Sequence, residues 1–249
     1  MTQETPGNRL HLPHLAITGF RGIRELSIGR LGRVTLLTGK NGVGKTAALE
    51  AVRALAARGR RCLSLGPGVL GDDRIAKWWN DVELTPDEDK VVDALKLVVN
   101  AAERAAVVGG HAGRRPRRSR VIVELEGDPV PVPLKSLGDG AVRVFGVALA
   151  LANSRDGFLV IDEAENGIHH SLQERFWRMV LETAEANNVQ VLATTHSRDC
   201  VEGFARAVTE CQHIDGALAR INRRNGETWA VEYSERDMRI AAEQGIEVR

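Results

Sequence analysis

The stretch GKNGVGKT, Gly39 to Thr46, carries the most specific chemistry in the sequence. It satisfies the spacing G-x-x-x-x-G-K-[ST], in which glycines let successive backbone amides turn inward on phosphate oxygens. Gly39, Asn41, Gly42 and Gly44 make the cradle, Lys45 reaches the terminal phosphates, and the Thr46 hydroxyl is placed to hold Mg²⁺. A helix that follows adds the partial positive charge of its N-terminus, worth roughly 0.3–1 kcal/mol toward an anion. The chemistry is the binding of a nucleoside triphosphate.

Two further clusters fit that chemistry. Four apolar residues, Phe158 to Ile161, run into Asp162 and Glu163. A buried strand ending in two acids sets them at the carboxyl edge of a sheet, where α/β folds bind ligands. Asp162 suits Mg²⁺, and Glu163 suits a general base that polarises an attacking water. A second apolar run, Val189 to Ala193, ends in Thr194, Thr195 and His196. A histidine there can hydrogen-bond a γ-phosphate oxygen or the water. A third segment, SLGDG from Ser136 to Gly140, precedes the apolar run AVRVFGVALAL. Ser136, Gly138 and Gly140 make it a second helix start shaped for an anion, in which the carboxylate of Asp139 is unusual. His169 and His170 are adjacent, a spacing that rarely points two rings at one ion, and read as an exposed turn or interface pair.

These residues need a scaffold, and the patterning supplies one. LAITGF, LSIG and RVTLLTG read as strands, the last entering the phosphate loop. Residues 46–59 are alanine-rich with helical spacing and end at Gly59. Residues 60–80 are weakly patterned, with LGPGVLGDD a loop. Residues 84–108 read as one helix, with Thr85 as cap, Pro86 at the first position and acids in the first turn. A basic loop, GGHAGRRPRRSR, leads to the strand VIVELEG; later come helices over SLQERFWRMVLETAEAN and DCVEGFARAV, a hairpin turning at Asn225–Gly226, and a last amphipathic helix, SERDMRIAAEQG. Strands alternating with helices, the inner strands apolar throughout, imply an α/β fold: a mostly parallel central sheet flanked by helices, with a small N-terminal antiparallel portion.

Composition excludes several classes. Lys plus Arg (34) nearly balance Asp plus Glu (33), so net charge gives no case for bulk nucleic-acid or membrane binding. The three cysteines have neither CxxC nor metal-ligand spacing and read as reduced thiols. No apolar run is long enough to cross a bilayer and the polar start is no signal peptide, so a soluble cytoplasmic protein is expected.

In their order, GKNGVGKT, PLKSLGDGAVRVFGVALALA, IDEAENGIHHSL and NVQVLATTHSRDC, with ITGFRGIREL ahead of them, resemble the phosphate loop, signature, Walker B plus D-loop, switch and entry strand of ABC-type ATPase heads. They are most similar to the OLD-like AAA family ATPases. The resemblance implies a P-loop NTPase fold of ABC type over residues 1–249, with 60–135 a shortened helical and β insertion and 211–249 a C-terminal hairpin and helix. It implies ATP, Mg²⁺ and a head-to-tail homodimer in which Ser136, Gly138, Asp139 and Gly140 close over the partner's ATP. It also implies an effector partner, nuclease-type in many relatives and often tied to phage defence; without a Toprim segment here, that effector would be a separate polypeptide. One departure stands out: relatives carry a glutamine between phosphate loop and signature, and none occurs here between Thr46 and Gln173. Asn80 or Asp81 standing in, or slow hydrolysis, are the two readings. A rival function is an ATP-dependent nucleic-acid clamp using the basic run Arg114 to Arg120. A GTPase lacks its NKxD segment, and a small-molecule kinase leaves SLGDG and His196 unexplained. Phe20 or Arg21 offers a flat face to the base, and Trp78 and Trp79 read as packing residues.

Overall fold

A hairpin opens the fold: β1 (Leu15–Phe20) and β2 (Ile23–Ile28) pair antiparallel around Arg21 and Gly22, whose φ values of 45° and 79° make the tight reversal. The computed structural model describes residues 10–57, 59–110, 117–234, 236–238 and 240. β3 (Val34–Thr38) leads through the phosphate loop into α1 (Lys45–Ala56). Then come β4 (Cys62–Leu65), α2 (Asp72–Asn80), α3 (Pro86–Leu95), β5 (Ala102–Gly110), β6 (Arg117–Leu125) and β7 (Val132–Pro133). After a 3₁₀ turn at Leu134–Leu137 follow α4 (Asp139–Ala152), β8 (Phe158–Ile161), α5 (Gln173–Ala186), β9 (Gln190–Thr194), α6 (Arg198–Glu210), β10 (Gly216–Arg224) and β11 (Glu227–Tyr233).

The central sheet has the order β11-β10-β3-β9-β8-β4, parallel from β10 to β4 with β11 antiparallel at one edge. Its inner strands β3, β8 and β9 are buried at every residue, which is why they read as unbroken apolar runs. Alternation still sorts their side chains between two layers. Leu37, Phe158, Val160 and Leu192 pack under α1 and the β1–β2 hairpin. Leu36, Leu159, Ile161, Val191 and Ala193 face α4, α5 and α6. Helix α4 is buried from Ala141 to Leu151, so it is apolar all round rather than on one stripe. Trp79 is fully buried and stacks on Phe145 of α4 with ring centres 5.5 Å apart, and Trp78 is nearly as buried; both Trp residues pack.

The helix expected over 84–108 is corrected. Its start is as read, with Thr85 Oγ1 accepting the Asp87 amide and Pro86 at the first position, but α3 stops at Leu95. Residues from Ala102 form β5, which pairs antiparallel with β6 in a three-stranded sheet with β7. Alanine favours helix locally, yet Ala102 and Ala105 are buried where pairing with β6 seals the α2–α3 layer, and that tertiary gain outweighs propensity. Residues 60–80 are corrected as well: β4 is the sheet's other edge, in register with β8 from Cys62↔Phe158 to Leu65↔Ile161, and α2 follows. The hairpin turn at Asn225 and Gly226 is as expected, with φ of 53° and 83°. Of the last amphipathic helix, residues 236–238 are helical and Met238 is buried in the core; its continuation and the tail lie outside the described residues.

Candidate nucleotide site

Four adjacent parallel strands end level with one another. Leu37 pairs with Thr194, Ala193 with Ile161, and Ile161 with Leu65. Beyond those ends lie the phosphate loop, His196, the Asp162–Glu163 pair, and Gly66–Pro67–Gly68. The sheet therefore gathers, at one carboxyl edge, segments more than a hundred residues apart.

In the phosphate loop, Gly39 is buried at φ 139°, and a Cβ there would sit 2.3 Å from the Ile221 carbonyl oxygen; nothing but glycine fits. Gly44, at φ 112°, is the N-cap of α1 and brings no side chain to its free amides. The first turn of α1 has no acid, whereas α2, α3 and α6 each carry one or more there. The positive end of α1 is left for an exogenous anion. Asn41, Gly42 and Thr46 are exposed beside it. Lys45 is buried, with Nζ donating to the carbonyls of Gly39 at 2.7 Å and Lys40 at 3.1 Å. Burial lowers its pKa, while Asp162, Glu165 and Glu163 pull it back up.

Asp162 is the hinge of the site. Its carboxylate accepts from Thr46 Oγ1 at 3.1 Å and from Thr194 Oγ1 at 2.5 Å. Thr194 Oγ1 in turn accepts the Glu163 amide at 3.0 Å. Two hard oxygens, one from each side of the cleft, suit Mg²⁺. Among the described residues no group of three His, Cys, Asp or Glu side chains could hold a metal alone. Glu163 has φ 50°, a left-handed conformation that costs a non-glycine roughly 1–2 kcal/mol. It is held there by Thr194 and by Arg143, whose Nη2 donates to the carbonyls of Asp162 at 2.8 Å and Glu163 at 2.9 Å. The Glu163 carboxylate accepts from Asn166 at 2.8 Å and lies 3.8 Å from His196 Nδ1, so an acid and an imidazole share the water's expected position.

The SLGDG segment lies elsewhere. Ser136 Oγ donates to the Pro133 carbonyl inside the 3₁₀ turn, and Gly138, exposed at φ 96°, caps α4 without a side chain. Asp139 is exposed in the first turn. A Cβ on Gly140 would lie 2.6 Å from the Gly167 carbonyl oxygen, so the start of α4 rests on the loop that follows Glu163. None of these four residues is hydrogen-bonded to residues 39–46 of its own chain. Of the four, Asp139 lines, with Pro67, Val69, Arg143 and Asn166, a surface cavity of about 140 Å³.

Sequence reasoning missed Arg143, Glu165 and Asn166, and named Thr194 at its strand end without giving it a partner. Arg143 did leave a signal, a lone charge within AVRVFGVALAL, whose burial demanded partners. Asn80 and Asp81 are not hydrogen-bonded to any residue of the site; the segment leaving β4 beside Asp162 is Gly66–Pro67–Gly68, which offers backbone groups but no polar side chain. Arg21 pairs with Glu50 at 2.9 Å and sits 6.0 Å from the Phe20 ring. His169 and His170 are exposed, their rings 4.1 Å apart. Of the basic run, Arg114 and Arg115 lie outside the described residues, as do the side chains of Arg117 and Arg118; Arg120 is exposed on β6.

The family described as "AAA domain, putative AbiEii toxin, Type IV TA system" matches residues 76–199. The chain is 33% identical over 91 residues to the uncharacterized protein MJECL11 of Methanocaldococcus jannaschii, spanning 36% of this chain and 78% of that one. It also matches the DNA replication and repair protein RecF of Stutzerimonas stutzeri, 34% identical over 80 residues, 32% of this chain. The chain belongs to the ABC-type P-loop ATPases. An ATP/GTP phosphatase of Helicobacter pylori is 30% identical over 82 residues, again 32% of this chain. The matched region spans 22% of the phosphatase and 21% of RecF. The fold is similar to the SMC head domain from Thermotoga maritima, with TM-score 0.58 and 16% identity over 90% of this chain and 100% of that one. It is also similar to an SMC head bound to the C-winged helix domain of ScpA, with TM-score 0.57 and 11% identity over 89% of this chain and 97% of that one. Among the described residues no helix is long and apolar enough to cross a membrane.

Proposed function

We propose that this chain is a Mg²⁺-dependent, OLD-like ATPase of the cytoplasm whose ATP-driven head-to-tail dimer regulates a separate effector. One observation carries the hydrolytic part: Asp162, Glu163 and His196, from the ends of β8 and β9, converge with Thr46 at the mouth of the uncapped helix α1. Thr46 and Asp162 would hold Mg²⁺, which supplies charge neutralisation at the phosphates. Lys45 and the amides of residues 39–46 orient the triphosphate, and Glu163 takes the proton of the attacking water. The absence of a glutamine after β4 supports slow turnover.

The dimer is supported by a mismatch. Ser136 to Gly140 form a second uncapped helix start, exposed and not hydrogen-bonded to its own phosphate loop. A twin chain related head to tail would bring that start over the bound γ-phosphate, so ATP would join two weak surfaces. Hydrolysis would then separate them. The effector, with a role in phage defence, is supported by the matched family's description as part of a TA system. The test is light scattering of the Glu163→Gln variant with and without ATP and Mg²⁺, alongside wild-type hydrolysis at several protein concentrations. Dimer mass with ATP, and a rate per chain that rises with concentration, are expected. A monomer holding ATP and Mg²⁺, with a concentration-independent rate, overturns the proposal.

A further inference from the structure

Three acids follow β8, and the third has no task in the reading above. Glu165 is more buried than Glu163, its side chain 10% exposed against 36%. Its Oε1 accepts the backbone amide of His196 at 3.1 Å and lies 3.3 Å from His196 Nδ1, nearer than the 3.8 Å of Glu163. Its Oε2 is buried and has no hydrogen-bond partner among the described residues. A carboxylate so placed costs several kcal/mol unless something compensates it. The charges that do so are Arg143 and Lys45, on both of which Glu165 acts.

The chain is shaped to put Glu165 there. Glu163 turns left-handed, Ala164 donates its amide to the Thr194 carbonyl across the end of β9, and Asn166 closes the turn on the Glu163 carbonyl. Glu165 thereby accepts the His196 amide and faces its ring at Nδ1, while Glu163 is engaged by Asn166.

A carboxylate offers only acceptors, so Glu165 Oε1 at 3.3 Å from Nδ1 favours the tautomer that carries its proton on that nitrogen. We infer that Glu165 is a positioning residue that holds His196 in its Nδ1–H form, leaving Nε2 as the ring nitrogen free for the phosphate or the attacking water. The inference rests on the nucleotide-hydrolysing reading of the site and deepens it. It divides the work: Glu165 orients the imidazole, and Glu163 keeps its carboxylate for the water.

The first test is ¹⁵N NMR of the ring nitrogens in nucleotide-free wild-type protein at about pH 8.5. The His196 signals are assigned by their loss in His196→Asn. The Nδ1–H pattern is expected; the Nε2–H pattern overturns the inference, whether or not the protein hydrolyses ATP. The second test is steady-state hydrolysis by Glu165→Ala and Glu165→Gln. Glu165→Ala should lower kcat about 10–100-fold with KM for ATP within about two-fold, and its ring should shift to the Nε2–H pattern. Glu165→Gln keeps an acceptor for both contacts and should recover most of kcat. Should Glu165→Ala not fold, the wild-type ring pattern and Glu165→Gln decide. Unchanged kcat in Glu165→Ala, or a Glu165→Gln variant with kcat as low as a His196→Asn variant, overturns the inference. A wild type without hydrolysis defeats the functional proposal alone.

Discussion

Replacing Arg143 with methionine tests the idea that one buried guanidinium holds the hydrolytic turn in shape. Arg143 is 5% exposed and donates to the carbonyls of Gly66 at 2.6 Å, Asp162 at 2.8 Å and Glu163 at 2.9 Å. Methionine fills much of the same volume but donates nothing. The Glu163 carbonyl keeps its bond from the Asn166 amide, whereas the carbonyls of Gly66 and Asp162 lose their donor. Each orphaned carbonyl costs about 1–3 kcal/mol, and Glu165 loses a counter-charge. Relief from burying the guanidinium offsets part of this, leaving a net loss of about 3 kcal/mol. With a slope of about 2 kcal/mol per M, the urea midpoint should fall by about 1.5 M. Hydrolysis should fall with it, because Glu163 is no longer pinned at φ 50°. A double-mutant cycle with Glu165→Gln should show coupling of about 1 kcal/mol or more. If Arg143→Met leaves the midpoint unchanged or raises it, Arg143 is a tolerated burden rather than a clamp.

Other expectations follow from single contacts. Gly140→Ala forces its Cβ against the Gly167 carbonyl oxygen and should cost about 1–3 kcal/mol in denaturant unfolding, with weaker ATP-driven association; unchanged stability would mean that the two segments are not in contact. Thr194→Val removes both the donor to Asp162 and the acceptor of the Glu163 amide, so the Mg²⁺ concentration for half-maximal hydrolysis should rise about 10-fold or more. Burial pushes the Cys62 thiol up to about 11 and the Cys200 thiol up to about 12, and raises that of Cys211 too. Thiolate is therefore scarce at pH 8 and grows only as pH climbs toward those values, so a thiol reagent at pH 8 should label the native chain far more slowly than the urea-unfolded one. Rapid labelling of native protein would contradict the burial.

The phosphate loop was legible because its function is local. Seven or eight consecutive residues, a strand before and a helix after, are enough to specify a cradle of amides whatever the rest of the chain does. The same holds for β3, β8 and β9, whose apolar runs announce burial on both faces, and for the hairpin at Asn225–Gly226, whose turn chemistry is confined to two residues. Where local and distant forces disagreed, the reading failed. Residues 102–108 look helical by composition, but their hydrogen bonds go to β6, and no window of the sequence displays that partner. The strand β4 is four residues long, and only the register with β8 makes it part of the sheet.

The site divides along the same line. By itself the sequence determined which groups were available: Lys45 and Thr46 in a phosphate loop, Asp162 and Glu163 at a strand end, His196 at another. Only the tertiary structure decided which carboxylate meets which partner. Asp162 went to Thr46 and Thr194, and Glu165 to His196, over sequence separations that no periodicity encodes, which left Glu163 to Asn166 three residues on. The physical reason is that burial and hydrogen bonding must be satisfied in three dimensions: once β3, β9, β8 and β4 align, each polar group at their ends takes the nearest complementary one.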